Sequence, residues 1–84
     1  MSELKAAFDQ AVVNSKALTE RPDNATLLKL YALYKQASLG DNKDAKPGFA
    51  DMVARAKWDA WTGLRGTAQD DAMQQYIDLI AELD

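Results

Sequence analysis

The chain has 84 residues, a net charge of −3 from 13 acidic and 10 basic side chains, and neither cysteine nor histidine. A chain this short forms one domain, residues 1–84, with a single small core and no room for a separate catalytic domain. The missing residue types exclude disulfides, thiolate and imidazole metal sites and most catalytic triads, and the negative charge argues against a nucleic-acid partner, so we expect a non-enzyme.

The N-terminal segment MSELKAAFDQ carries charges in its first turns, and no segment approaches the ~20 apolar residues of a membrane helix. We therefore expect a soluble chain without stable membrane insertion. The lack of cysteine makes the cytoplasm the default location. Helix 1 is predicted from Glu3 to about Leu18, because apolar residues recur at helical spacing after Ser2, a preferred N-cap residue.

The second helix is predicted to follow the break at Pro22 and to end at about Leu39. Proline disfavours helical angles in the residue before it, and Asp23 or Asn24 can cap the next helix. Gly40 is expected to end the helix in a left-handed conformation.

Helix 2 carries two neighbouring apolar stripes, and one of them, Leu28 and Tyr31, leads to Lys35 at helical spacing. Two interpretations remain open. In the commoner one, Tyr31 is a ring at the edge of the core and Lys35 is a solvated charge. In the other, the stripe is an amphipathic groove, with a cation and a phenol for an anion and an apolar strip for a greasy or aromatic group.

The segment GDNKDAKPGF reads as a loop because it holds glycine, asparagine, aspartate and a Pro-Gly turn. At about ten residues it is long enough to cross from one end of a bundle to the other. Helix 3 is predicted from Phe49 to Leu64, with Trp58 and Trp61 entering the core together. Lys57 would lie toward solvent, and spacing does not decide whether it converges with the lysine of helix 2.

The fourth helix is predicted to follow Gly66, with Thr67 and Asp70 as a capping-box-like start. The acidic pair Asp70 and Asp71 is best explained by the dipole of a helix first turn rather than by catalysis. The apolar stripe of this helix contains Met73, Tyr76, Ile77, Ile80 and Leu83. Four amphipathic helices with two short connections and one long one predict an all-α bundle with a non-simple order of directions.

Four motifs, YALYKQASLGD, KPG, AKWDAW and GTAQDDAMQQYI, occur in this order and resemble the acyl-CoA-binding protein family, also known as the diazepam-binding-inhibitor family. The resemblance runs from Phe8 to about Leu83. It implies a four-helix up-down-down-up bundle with a long overhand loop between helices 2 and 3. It also implies non-catalytic binding, buffering and intracellular transport of medium- to long-chain fatty acyl-CoA thioesters, with no cofactor.

The resemblance implies a role for individual residues. Tyr31, Lys35 and Lys57 would hold the 3′-phosphate of the coenzyme A ribose, Tyr34 would lie against the adenine, and Tyr76 would help to close the acyl side. The other implied lining residues are Leu28, Leu27 where the family often has methionine, the helix-1 wall Phe8, Ala11 and Val12, Lys16 near the nucleotide and, more weakly, Arg21.

Two departures from the family pattern stand out. Val53 occupies a position where several relatives carry lysine, so a peripheral phosphate contact is expected to be missing. The chain ends at AELD without the basic and aromatic tail common in relatives, which leaves the preferred acyl length open. We expect a monomer that exchanges ligand with acyl-CoA-producing or acyl-CoA-consuming enzymes. The alternative is a small helical module that binds an amphipathic partner peptide in the same groove.

Overall fold

A computed structural model describes residues 2–83 as four helices, with no strand among those residues. The helices are α1 (Glu3–Ser15), α2 (Asn24–Leu39), α3 (Met52–Thr62) and α4 (Gln69–Leu83). The predicted all-α architecture is confirmed. Within the described range, no helix has the length and apolar character needed to cross a bilayer.

Three of the helices begin at a side-chain cap. The hydroxyl of Ser2 accepts a hydrogen bond from the Lys5 amide at 3.1 Å, and the Asp51 carboxylate accepts one from the Ala54 amide at 3.1 Å. At α2 the cap is Asp23, which accepts from the Thr26 amide at 2.8 Å. Hydrogen bonds from the side chain and the amide of Thr26 hold the pKa of Asp23 below its usual value. The predicted caps of helices 1 and 2 are confirmed.

The first helix is shorter than predicted. It ends at Ser15 rather than Leu18, where the Ser15 hydroxyl donates to the Val12 carbonyl at 2.6 Å. The next amide, of Lys16, bonds to the carbonyl of Val13 three residues back, so the last turn tightens and stops. Leu18 still packs against the core from outside the helix. The apolar spacing therefore marked burial correctly and helix length incorrectly.

Helices 3 and 4 also differ from prediction at their ends. Helix α3 begins at Met52 rather than Phe49, because Asp51 caps it, and it ends before Leu64. Helix α4 begins at Gln69, so the predicted cap at Thr67 lies one residue too early.

Gly40 ends α2 with φ 82° and ψ −150°. The positive φ agrees with the prediction, but ψ lies outside the left-handed helical region, so the predicted left-handed stop is wrong in detail. This combination of angles is essentially restricted to glycine, and it turns the chain sharply out of the helix into the long loop.

The helices lie side by side in the order α3, α2, α4, α1, because α2 contacts both α3 and α4 while α1 contacts α4. The Cα atoms extend 38 × 30 × 15 Å, so the molecule is flattened along one axis. Helix α3 runs parallel to α2, since Lys57 lies over Tyr31 and Trp61 lies one turn further on beside Lys35. The up-down-down-up order is confirmed.

The main core lies between α1, α2 and α4. Phe8 is buried in this core, with its ring centroid 6.0 Å from that of Tyr34 and 5.2 Å from that of Tyr76. The buried residues of this cluster are Phe8, Ala11, Leu30, Leu33, Ala37, Ala72, Met73, Tyr76 and Ile80.

The prediction that the two tryptophans enter the core together is wrong, because neither belongs to this cluster. Trp61 is buried between α2 and the long loop, and its indole N–H donates to the Gly40 carbonyl at 2.9 Å. Trp58 is only half-buried, and its indole N–H donates to the Asp44 carbonyl at 2.9 Å. Both indoles need a partner for their N–H group, and the backbone of the long loop supplies it.

Polar side chains tie the long loop to the helices. The fully buried amide of Gln36 donates to the Asp41 carboxylate at 2.9 Å and to the Thr67 carbonyl at 2.7 Å. Asp41 also accepts from the Gly66 amide at 2.9 Å, and hydrogen bonds from Gly66 and Gln36 hold the pKa of Asp41 below its usual value. Buried Asn42 donates to the Thr62 hydroxyl at 3.0 Å. The loop is therefore anchored at both α2 and α3.

Candidate ligand-binding groove

A groove of about 400 Å³ lies between α2 and α3. It is lined by residues from the start of both helices and from the turn before α2, namely Arg21, Asn24, Leu27, Leu28, Tyr31, Met52, Val53, Ala56 and Lys57. Because α2 and α3 run parallel, successive turns of the two helices follow one another in the same direction along the groove.

The groove changes in polarity along its length. Arg21 and Asn24 stand where the two helices begin, and Tyr31 with Lys57 stands about two turns further along. Between these ends, the wall is aliphatic, from Leu27, Leu28, Met52, Val53 and Ala56. Such a groove matches an elongated apolar group with a polar or anionic group attached to it.

Two lysines converge on Tyr31. The Lys57 Nζ lies 5.4 Å from the centroid of the Tyr31 ring, and the Lys35 Nζ lies 5.9 Å from the same centroid. Lys35 Nζ also lies 5.5 Å from the ring centroid of Trp61, so its half-buried side chain is held between two aromatic rings. The two ammonium groups lie beside the Tyr31 phenol and form a local cationic site in an otherwise acidic protein. An anion would be stabilised there.

Tyr31 also borders two smaller hollows. One, of about 280 Å³, lies toward α1 and α4 and is lined by Ser15, Leu18, Pro22, Leu27, Leu30, Tyr31, Tyr34 and Tyr76. The other, of about 180 Å³, lies under the long loop and is lined by Tyr31, Asp44, Ala45, Pro47, Ala54, Lys57, Trp58 and Trp61. Tyr31 therefore borders all three spaces, while Leu27 is shared with the first hollow and Lys57 with the second.

The structure brings part of the predicted site together around the groove. Leu27, Leu28, Tyr31 and Lys57 line it directly, and Lys35 reaches the Tyr31 ring from one turn further along. The weaker candidate, Arg21, lines its far end. Convergence of the two lysines, which spacing could not decide, follows from the parallel packing of α2 and α3.

The remaining predicted residues lie elsewhere. Tyr34 is exposed and, with buried Tyr76, borders the hollow toward α1. Phe8 is buried between these two rings.

The other three helix-1 residues do not reach the groove. Val12 packs against the core, and Ala11 is buried beside a hollow between α1 and α4. Lys16 is exposed at the end of α1. The binding roles predicted for these residues stay predictions.

Sequence reasoning missed the α3 wall of the groove. Met52 and Ala56 line it on consecutive turns, and Val53, which was noted only for the lysine it replaces, lines it as an apolar residue. The spacing of four between Met52 and Ala56 and between Val53 and Lys57 could have signalled one shared helix face. Within residues 2–83, no cluster of three or more histidine, cysteine, aspartate or glutamate side chains is placed to hold a metal ion.

A family model described as "Acyl CoA binding protein" matches residues 5–80. The chain is 48% identical over 77 residues to acyl-CoA-binding protein homolog 1 of Caenorhabditis elegans, covering 92% of this chain and 90% of that protein. It is 45% identical over 76 residues to the acyl-CoA-binding protein of Saccharomyces cerevisiae, covering 90% and 87%.

Solved structures agree with the sequence matches. The crystal structure of acyl-CoA-binding protein 2 of Oryza sativa superposes with a TM-score of 0.91 at 35% identity, covering 95% of this chain and 89% of that one. The acyl-CoA-binding protein of Moniliophthora perniciosa gives 0.88 at 37% identity, covering 99% and 80%. Motifs, helix order and matched residues lead to one conclusion: this chain belongs to the acyl-CoA-binding protein family.

Proposed function

We propose that this chain binds medium- to long-chain fatty acyl-CoA thioesters in the α2–α3 groove, and buffers and transports them without changing them chemically. The observation that carries the proposal is the junction of an aliphatic groove with two lysines on the Tyr31 ring. An acyl-CoA joins a hydrocarbon chain to a phosphate-bearing nucleotide, which is the same change of polarity along one molecule.

At the nucleotide end, Tyr31, Lys35 and Lys57 hold the 3′-phosphate. Two ammonium groups and a phenol donate charge-assisted hydrogen bonds to phosphate oxygens, and the phosphate relieves the repulsion between the two cations. The exposed ring of Tyr34 stacks on the Phe8 ring, with 6.0 Å between the two centroids, and offers an aromatic platform for the adenine.

At the acyl end, Leu27 and Leu28 on α2 and Met52, Val53 and Ala56 on α3 shield the hydrocarbon chain. Each methylene removed from water contributes about 0.8 kcal/mol, so affinity rises with chain length until the groove is filled. Tyr76 closes the neighbouring hollow, while Ala11 and Val12 support the helix-1 wall and Lys16 adds positive charge at the nucleotide side.

The residue types of the chain support a carrier rather than an enzyme. The chain contains no histidine to activate a nucleophile, and the Ser15 hydroxyl donates to a backbone carbonyl. We place the carrier in the cytoplasm as a monomer that receives its ligand from acyl-CoA-producing enzymes and delivers it to acyl-CoA-consuming ones.

Calorimetric titration with palmitoyl-CoA, kept below its micelle concentration, tests the proposal. We expect one-to-one binding of the thioester and much weaker binding of coenzyme A or palmitate alone. Lys35→Ala should weaken binding by about 10- to 100-fold, the loss expected when a hydrogen bond to a charged group is removed. Lys29→Ala is the matched control, because Lys29 lies on α2 at the hollow facing α4.

Two results would contradict the proposal. One is the absence of palmitoyl-CoA binding, and the other is equal affinity in the Lys35→Ala and Lys29→Ala variants. If an uncharged amphipathic peptide binds in the groove and coenzyme A does not compete with it, the groove would instead be assigned to a protein partner.

A further inference from the structure

The sulfur atoms of this chain all belong to methionine, because the chain has no cysteine. Of the three methionines, Met52 and Met73 lie in the described residues. Met52 is 78% exposed at the start of α3, whereas Met73 on α4 is 9% exposed and belongs to the main core. A dissolved oxidant therefore reaches the Met52 side chain much more readily than that of Met73.

Met52 also belongs to the apolar wall of the α2–α3 groove. It lines the groove from α3 together with Val53 and Ala56, while Leu27 and Leu28 line it from α2. The side chain thus borders the groove and is open to solvent at the same time. A chemical change at this sulfur would alter a wall of the groove without disturbing the packing between α1, α2 and α4.

A hydroperoxide converts the thioether of methionine into a sulfoxide. A lone pair of the Sδ atom attacks one peroxide oxygen, the O–O bond breaks, and this oxygen is transferred to sulfur. With hydrogen peroxide, the leaving hydroxide takes the proton of the transferred oxygen and departs as water. Sulfur loses two electrons, which the peroxide gains. The flexible apolar side chain thereby acquires a polar S=O group that accepts hydrogen bonds.

In the proposed complex, the new polar group would stand where the hydrocarbon chain has to lie. The S=O oxygen is hydrated in the open groove, and a hydrocarbon chain that covers it removes this water without offering a hydrogen bond in return. The other end of the groove, where the Lys57 Nζ lies 5.4 Å from the centroid of the Tyr31 ring, is unchanged. Oxidation should therefore weaken binding of the acyl part and spare binding of the nucleotide part.

We propose that Met52 is a reversible oxidation site through which hydroperoxides lower the affinity of the groove for acyl-CoA thioesters. The proposal rests on the carrier function proposed above and adds a regulation to it. Methionine sulfoxide reductases remove the oxygen as water while two thiols form a disulfide, so the loss of affinity is reversible. A bound acyl chain covers Met52, so the loaded carrier is protected and the empty carrier is open to the oxidant.

Treatment of the ligand-free chain with hydrogen peroxide, followed by peptide mass analysis, tests the site. We expect Met52 to gain an oxygen atom well before Met73, and added palmitoyl-CoA to slow the reaction at Met52. Calorimetry should then show palmitoyl-CoA binding weakened about tenfold, since less apolar surface leaves water, with binding of free coenzyme A unchanged. Incubation with methionine sulfoxide reductases and a dithiol should restore the affinity.

Two variants separate Met52 from the other methionines. Met52→Leu cannot form a sulfoxide at this position, so peroxide should cause no loss of affinity relative to the untreated variant. Met73→Leu is the matched control, and peroxide should weaken its binding as much as it weakens binding by the unmodified chain. Equal losses in the two variants would trace the effect to another residue and overturn the proposal.

The remaining outcomes separate this proposal from the carrier function. Oxidation of Met73 as fast as Met52, or unchanged palmitoyl-CoA affinity after Met52 is oxidised, would overturn this proposal alone and leave the carrier function standing. Failure of the unoxidised chain to bind palmitoyl-CoA would overturn the carrier function, and this proposal with it.

Discussion

The two sides of α2 are held in different ways. On the side of α4 and α1, the interface is mainly an apolar core with Leu33 and Ala37 fully buried. On the side of α3, the interface depends on buried Trp61 and on hydrogen bonds from Asn42 and other polar groups of the long loop. That side also keeps an open groove, with half-buried Leu28 in its wall.

This difference separates folding stability from ligand binding within one small domain. Apolar residues toward α4 are already removed from water, so they stabilise the folded chain. Apolar residues toward α3 remain partly in water, and a ligand that covers them gains the same free energy as affinity. If the groove binds the ligand as proposed, α2 serves both folding and binding, because its two stripes face different neighbours.

The largest expected effect is on the core side. Leu33→Ala should lower the free energy of unfolding by about 2–5 kcal/mol, because it leaves a cavity in a fully buried site. Leu28→Ala removes the same atoms from the groove wall and should cost clearly less. Urea denaturation measures both, and equal losses would show that the two sides of α2 contribute alike.

The second effect concerns the exit of α2 into the long loop. Gly40→Ala should destabilise the fold by about 1–3 kcal/mol, because alanine is strained at φ 82° and ψ −150°. Gly48→Ala is the matched control, since an added Cβ meets nothing within 4 Å at either position. Thermal unfolding should show little loss for Gly48→Ala, and a similar loss in both variants would rule out backbone conformation as the cause.

A smaller effect distinguishes the two tryptophans. Trp61→Phe leaves the partly buried Gly40 carbonyl without its donor and should cost about 1–3 kcal/mol. Trp58→Phe removes a hydrogen bond to Asp44 that lies at the surface, where water can replace it, so the loss should be smaller. Urea denaturation measures the free energy of unfolding of both variants. A larger loss for Trp58→Phe would show that Trp58, rather than Trp61, is the tryptophan that matters more for stability.

The smallest effect appears at low pH. The pKa of Asp41 is lowered in the folded state by hydrogen bonds from Gly66 and Gln36. The stabilisation that these hydrogen bonds give the folded chain is therefore fully present above the pKa of Asp41 in the unfolded state. It is lost as the pH falls through the pKa of Asp41 in the folded state. Asp41→Asn should reduce the fall in thermal midpoint between about pH 5 and about pH 2.5.

The carboxylate of Glu82, on α4, provides the control for this measurement. Glu82→Gln removes the same charge from an exposed position in the last turn of α4. Its profile should follow that of the unmodified chain, and an equally flattened profile would attribute the pH dependence to net charge rather than to the loop anchor.

Much of the fold was predictable because local signals and packing agree. Ser2 and Asp23 cap their helices as expected, and α2 ends at Leu39 as predicted. The errors occur where an apolar residue is not in a helix. Leu18 packs on the core from the connection between α1 and α2, and Phe49 projects into solvent, so apolar spacing extended both predicted helices too far.

The site was predictable in part. The stripe of Leu28, Tyr31 and Lys35 lies on one helix, so its geometry follows from helical spacing alone. The approach of Lys57 to Tyr31 requires α3 to run parallel to α2, which depends on a loop of about ten residues and on its anchors. Spacing within one helix carries no information on that tertiary arrangement, and the α3 wall was missed for the same reason.

Among the described helices, α3 packs against α2 only, although the long loop also holds it, and this has a consequence for motion. A helix with one helical neighbour can separate locally while the other three helices stay packed, so its opening free energy is lower than that of global unfolding. Because α3 forms one wall of the groove, such openings would change the groove's width. If the groove binds the ligand proposed above, such an opening would let that bulky amphiphilic molecule enter without unfolding of the core.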